Sequence, residues 1–135
     1  MEEQQEKLRK NGVRWINGDV RNIRLAKESF DVVYAHLSLH YFDDKTTAAV
    51  FKKIRGILKP GGYFFVKCKS ADDPLFGRGR MIEENYYDFG MTRHFFTKEY
   101  MAEKLKDFRV IKIQRTNSFV HPARASFVEA FAQKL

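Results

Sequence analysis

The chain has 135 residues, one domain's length with room for a buried core, and its 15% aromatic content, with 13 Phe, excludes a disordered polypeptide. Its one cysteine, Cys68, excludes an internal disulfide and fits a reducing compartment. No apolar run approaches the ~20 residues that a membrane helix needs, and the start of the chain is Glu/Gln/Lys-rich rather than signal-like, so a cytoplasmic location is expected. The net charge of +8 reads either as a polyanion-binding surface or as solvated helix faces, with Lys52, Lys53 and Arg55 on the polar side of one predicted helix. With no dense Lys/Arg run and no nucleic-acid-binding motif, nucleic acid is not expected as the main partner.

In chain order, residues 2–10 are helix formers stopped by Asn11-Gly12. Residues 13–20 lean towards a short strand broken at Gly18, and residues 21–29 form a polar connector anchored by Ile23 and Leu25. Residues 31–36 have the continuous apolar character of a parallel strand covered on both faces. Asp43 or Asp44 caps the next helix, in which Val50, Phe51, Ile54, Ile57 and Leu58 fall on one stripe. Pro60 stops that helix, Gly61-Gly62 turn the chain, and Tyr63 opens another buried strand.

The segment 70–96 is long for a structureless connection. A helix capped at Thr97 follows, with Met101, Leu105 and Phe108 at helical spacing. Residues 109–115 alternate as a strand, and residues 125–132 read as a last strand, although their Ala and Glu content leaves a helix open. Residues 1–135 read as a single unit without repeats or linker.

This order, with Gly18-Asp19 closing one strand and Leu58-Lys59-Pro60-Gly61-Gly62 joining a helix to the next, resembles the second half of the class I S-adenosylmethionine-dependent methyltransferase domain. The resemblance implies an α/β, Rossmann-like sheet with family strand order 3-2-1-4-5-7-6, family strand 7 being antiparallel. Residues 13–20, 31–36, 63–69, 109–115 and 125–132 then correspond to family strands 3, 4, 5, 6 and 7, and residues 2–10 to the helix before family strand 3. The first family strand, its Gly-x-Gly-x-Gly turn and the acidic residue ending the second have no counterpart, so an N-terminally truncated unit is expected. Gly77-Arg78-Gly79 lies too late in the chain to replace that turn. Family strand 4 is left with an unpaired apolar edge, and dimerisation through that edge is expected.

The resemblance also implies S-adenosylmethionine as cofactor. Asp19 matches the acidic residue whose carboxylate accepts from the adenine amino group, with the Val20 amide facing the ring; Asp19 equally suits a turn with Gly18. Ala35, His36 and Leu37 match the segment beside the cofactor's methionine part, and Leu37 and Leu39 suit the core as well. His36 and His40 stand at a metal-ligand spacing without an acidic neighbour or a second thiol, and no metal is expected. His40 is the acceptor-side candidate.

Segment 70–96 carries Arg78, Arg80, Tyr86, Tyr87, Arg93, His94, Phe95 and Phe96, and reads as an acceptor lid or as an aromatic loop packed over the core. No hydrolase constellation, Asn-Pro-Pro-Tyr-type motif or cytosine-methylating cysteine is present, so the expected activity is methyl transfer to a small molecule. Two alternatives remain: a non-catalytic methyltransferase-like remnant acting by self-association or as a partner subunit, and a basic nucleic-acid-binding module.

Overall fold

β-Branched and aromatic residues make Phe30–His36 the first strand, β1, and its alternation decides which side faces the core. Ala35 is buried, whereas Val32 and Tyr34 on the opposite side are 51% and 71% exposed. The computed structural model describes the backbone of residues 12–120 and 123–135; the helix expected at residues 2–10 lies outside the described residues.

Helix α1, Asp44–Ile57, begins where the Asp43 carboxylate accepts the Thr46 amide at 2.8 Å, satisfying a donor that has no partner within the helix. Val50, Phe51, Ile54 and Ile57 form its buried stripe, as the spacing predicts. The helix ends at Leu58, whose extended backbone (ψ 140°) already belongs to β2, Leu58–Lys69. Gly61 has φ +84°, and a Cβ at Gly62 would sit 2.9 Å from the Lys59 carbonyl oxygen and 3.0 Å from that of Asp31. The paired glycines therefore let β2 turn tightly beside β1.

β1 and β2 run parallel, Val32 opposite Tyr63 and His36 opposite Lys67. The long strands β6, Arg109–Val120, and β7, Ala123–Gln133, are antiparallel to each other. β7 also lies antiparallel against β2, giving the order β1-β2-β7-β6. That is the 4-5-7-6 part of the expected family order, and residues 125–132 are strand rather than helix.

Two expectations need correction. Residues 13–20 form no strand; Val13, Trp15 and Ile16 are all more than 40% exposed. Their side chains favour strand, but a strand exists only where its backbone bonds a neighbour, and residues 13–20 pair with no described strand. The second correction concerns β1, which was expected to be covered on both faces and is covered on one.

The segment after β2 contains a second, three-stranded antiparallel sheet: β3 (Arg80–Glu83), β4 (Tyr86–Asp88) and β5 (Thr92–His94). Helix α2, Lys98–Lys104, follows, capped by the Thr97 hydroxyl accepting the Tyr100 amide at 3.0 Å. Both helices lie on the same face of the large sheet, where Phe51, Leu58, Phe64, Phe96, Met101 and Leu105 form a tightly buried core. On the other face Tyr34, Tyr63, Phe65 and Phe131 form an aromatic row, Phe65 and Phe131 stacking at 4.2 Å.

Candidate functional site

The carboxyl ends of parallel strands are where open α/β sheets bind ligands. At that end of β1, Leu37 adopts φ +54°, a left-handed conformation that costs a non-glycine residue about 1–2 kcal/mol. Its amide donates to the Lys67 carbonyl at 2.9 Å, which ties the bend to β2. Ala35 just before it is buried; His36 is exposed and stacks parallel on Tyr34, with 6.1 Å between ring centroids. Local strain at a strand's carboxyl end suits a ligand-facing turn.

The Asp19 turn stands nearby. The Asp19 carbonyl accepts the Asn22 and Ile23 amides, and its carboxylate takes the Arg21 amide at 2.8 Å and the Arg21 Nη2 at 2.6 Å. The Arg21 side chain is the main reason this carboxyl is held down at about 2, so it is an anion at any physiological pH. Arg21 also lies 5.5 Å above the Phe42 ring, Lys53 of α1 donates to the Val20 carbonyl at 3.1 Å, and Val20 rests on the core. The turn bearing Asp19 and Val20 is thereby fastened to the loop that leaves β1. Asp19 does make a turn, with Arg21 rather than Gly18 as its side-chain partner, and Arg21 was not anticipated. An Asp two residues before an Arg is the only signal the sequence carried.

His40 is 2% exposed, and its Nδ1 accepts the Lys69 amide at 2.8 Å. Burial first, then the charges of Arg93 and Lys69, hold its pKa down at about 3, so the ring is neutral. His36 and His40 are thus placed differently, one exposed and one enclosed. Among the described residues no group of three His, Cys, Asp or Glu side chains could hold a metal ion. Cys68 is fully buried, and burial pushes its thiol up, making it a poor nucleophile.

The small sheet docks on the β1 exit loop. The His94 amide donates to the His40 carbonyl at 2.8 Å, and the Thr92 hydroxyl and Tyr86 phenol both donate to the Tyr41 carbonyl. Beside these bonds lies Arg93, 9% exposed, its guanidinium 5.3 Å from the Tyr41 ring centroid. Of the two readings of segment 70–96, an acceptor lid or an aromatic loop packed over the core, the structure shows the packing, with Phe95 and Phe96 buried and the small sheet bonded to the loop that leaves β1.

Residues 1–66, just under half of the chain, match a sequence family described as a methyltransferase domain. No curated protein matches the chain significantly in sequence. Among solved structures, an S-adenosylmethionine-dependent methyltransferase from Methanosarcina mazei aligns with TM-score 0.73 and 18% identity over 87% of this chain and 65% of that one. The 1,6-didemethyltoxoflavin N1-methyltransferase of Burkholderia thailandensis, with 1,6-didemethyltoxoflavin and S-adenosylhomocysteine bound, gives 0.74 and 22% over 97% of this chain and 56% of that one. A methyltransferase from Thermotoga maritima gives 0.65 and 25% over 99% and 70%. The chain spans less than two thirds of the length of the first two of these structures. It has the class I methyltransferase fold and resembles that family in sequence.

Proposed function

We propose that this chain supplies the acceptor-side half of an S-adenosylmethionine-dependent methyltransferase that acts on a small molecule. One observation carries the reading: Arg21 over Phe42 holds the Asp19 turn against the loop that leaves β1 after the strained Leu37, and Lys53 of α1 holds Val20, at the ligand-binding end of the 4-5-7-6 sheet. Asp19 would accept from the adenine amino group, with the Val20 amide at the ring. The side chain of Asp19 is 38% exposed, so it is accessible, and Arg21 pivots aside at little cost because it is itself 54% exposed. Ala35, His36 and Leu37 would flank the methionine part. Among the described residues none fits the end of the cofactor that a glycine-rich turn normally cradles.

The bound cofactor supplies an electrophilic methyl group on a sulfonium. The protein's own share is positioning and exclusion of water, with the β1 exit loop and the small sheet holding the acceptor in line. The Burkholderia enzyme's small aromatic ligand supports a small-molecule acceptor.

Amide resonances test the site directly. On addition of millimolar S-adenosylhomocysteine, the signals of Val20, His36 and Leu37 should shift together. Unmoved signals at all three, or shifts confined to another face, would count against the reading.

A second reading, a methyltransferase-like subunit acting by self-association, is favoured by the outer edge of β1 and the aromatic row, which no described segment covers. It shares the fold and differs in requiring no acceptor.

A further inference from the structure

Arg93 is the one described side chain whose chemistry is left incomplete where an acceptor would sit. It is 9% exposed, makes no ion pair among the described residues, and its Nε has no hydrogen-bond partner. A buried cation is normally paired with a carboxylate, because losing water costs several kcal/mol that only a counter-ion and good hydrogen bonds offset. Here the compensation is weak. The guanidinium has the Tyr41 ring at 5.3 Å, and its Nη2 stands 3.7 Å from the Met91 sulfur. A thioether is a poor acceptor.

The surrounding charges do not neutralise it. Lys69 already pairs with Asp73 at 3.0 Å, and Asp44 is taken by Tyr100 and Lys104, both at 2.6 Å. What covers it can yield. Met91 is 45% exposed, unbranched, and follows Gly90 at φ +98° in a tight turn. An oxyanion replacing that sulfur would exchange a weak contact for charge-assisted hydrogen bonds and would give Nε a partner.

We infer that Arg93 is the anion anchor of the acceptor pocket, and that the acceptor is a small molecule bearing a carboxylate or phosphate group. As a statement about an acceptor it rests on the methyltransferase reading. Arg93 acts as a specificity residue: it holds the substrate's charged end and takes no part in the transfer.

The test is a titration of the full chain with benzoate, inorganic phosphate and the neutral benzamide, following arginine Nε–H resonances. Benzoate or phosphate should move the Arg93 signal saturably while benzamide leaves it in place, and whichever anion acts separates a carboxylate from a phosphate acceptor. Arg93→Gln should abolish the response and Arg93→Lys should weaken it about tenfold, since lysine keeps the charge and loses the fork. An unmoved Arg93 signal, an equal response to benzamide, or unchanged anion affinity in folded Arg93→Gln overturns the inference. If Arg93→Gln fails to fold, the comparison of benzoate with benzamide on the unaltered chain decides alone. S-adenosylhomocysteine added to the same samples keeps the two ideas apart. Shifts at Val20 and Leu37 with a silent Arg93 remove the anchor only, whereas a responsive Arg93 without those shifts removes the methyltransferase reading and leaves the anion site.

Discussion

His40 and Asp19 are both polar residues near the end of β1, and burial sends them in opposite directions. Enclosed His40 offers Nδ1 to a backbone amide and must stay neutral to do so, whereas Asp19, open to solvent, is kept charged by Arg21. The His40 environment has a consequence for acid stability. Unfolded, the ring takes a proton near its ordinary 6.5; folded, it refuses one until about 3. Stability should therefore be complete above about pH 6.5 and fall as the pH drops towards 3, by at most ~1.4 kcal/mol per pH unit for such a group. Buried His94 is lowered too and adds in the same direction. The lowered carboxyls lose their contributions only below their ordinary values, 3.8 for Asp43 and Asp44 and 4.5 for Glu103 and Glu129, beneath the range between pH 7 and pH 5. Urea titrations at pH 7 and pH 5 should show a loss in the native chain. The loss should be smaller in His40→Asn, whose amide oxygen still accepts from Lys69 without titrating. Equal losses in both would place the acid sensitivity elsewhere.

Helix α1 and the turn into β2 were legible because local chemistry dictates them. Asp43 caps, the apolar stripe faces inward, and Gly61 and Gly62 give the start of β2 the one residue type that its backbone there accepts. Asp43→Ala should cost about 1 kcal/mol, read as a lower urea midpoint with unchanged slope. Gly62→Ala should cost more than the cap, because a Cβ there meets two backbone carbonyls that cannot swing away. A neutral outcome for Gly62→Ala would mean that the β1–β2 junction is looser than its geometry implies.

The small sheet escaped sequence reading for the opposite reason. Its strands have three or four residues and gain their order from remote partners, Tyr86 opposite His94 within the sheet and the His40 and Tyr41 carbonyls outside it. Residues 13–20 show the same dependence in reverse, carrying strand-favouring side chains but pairing with no described strand. Asp19 and Leu37 were singled out through the family resemblance. Arg21's hold on Asp19 and the solitary burial of Arg93 come from packing between segments far apart in sequence.

At the scale of the molecule the salient fact is asymmetry. Two helices cover one face of the four-stranded sheet, while the other face and the outer edge of β1 have no described partner. Open edges next to apolar surface pair with whatever strand they meet. The chain should therefore self-associate in sedimentation velocity. Val32→Lys, which places a charge on the uncovered face, should shift it towards monomer without lowering the melting temperature. A monomeric native chain would contradict this.

Calorimetric titration with S-adenosylhomocysteine tests the central claim most directly, applied to the 135-residue chain alone and joined to the strand–glycine-loop–helix segment of a class I methyltransferase. The account predicts weak, millimolar binding by the chain alone and micromolar binding by the joined form, falling about tenfold with Asp19→Ala through loss of a charged hydrogen-bonding partner. Micromolar binding by the chain alone as a monomer, or a folded joined form that does not bind, would contradict it.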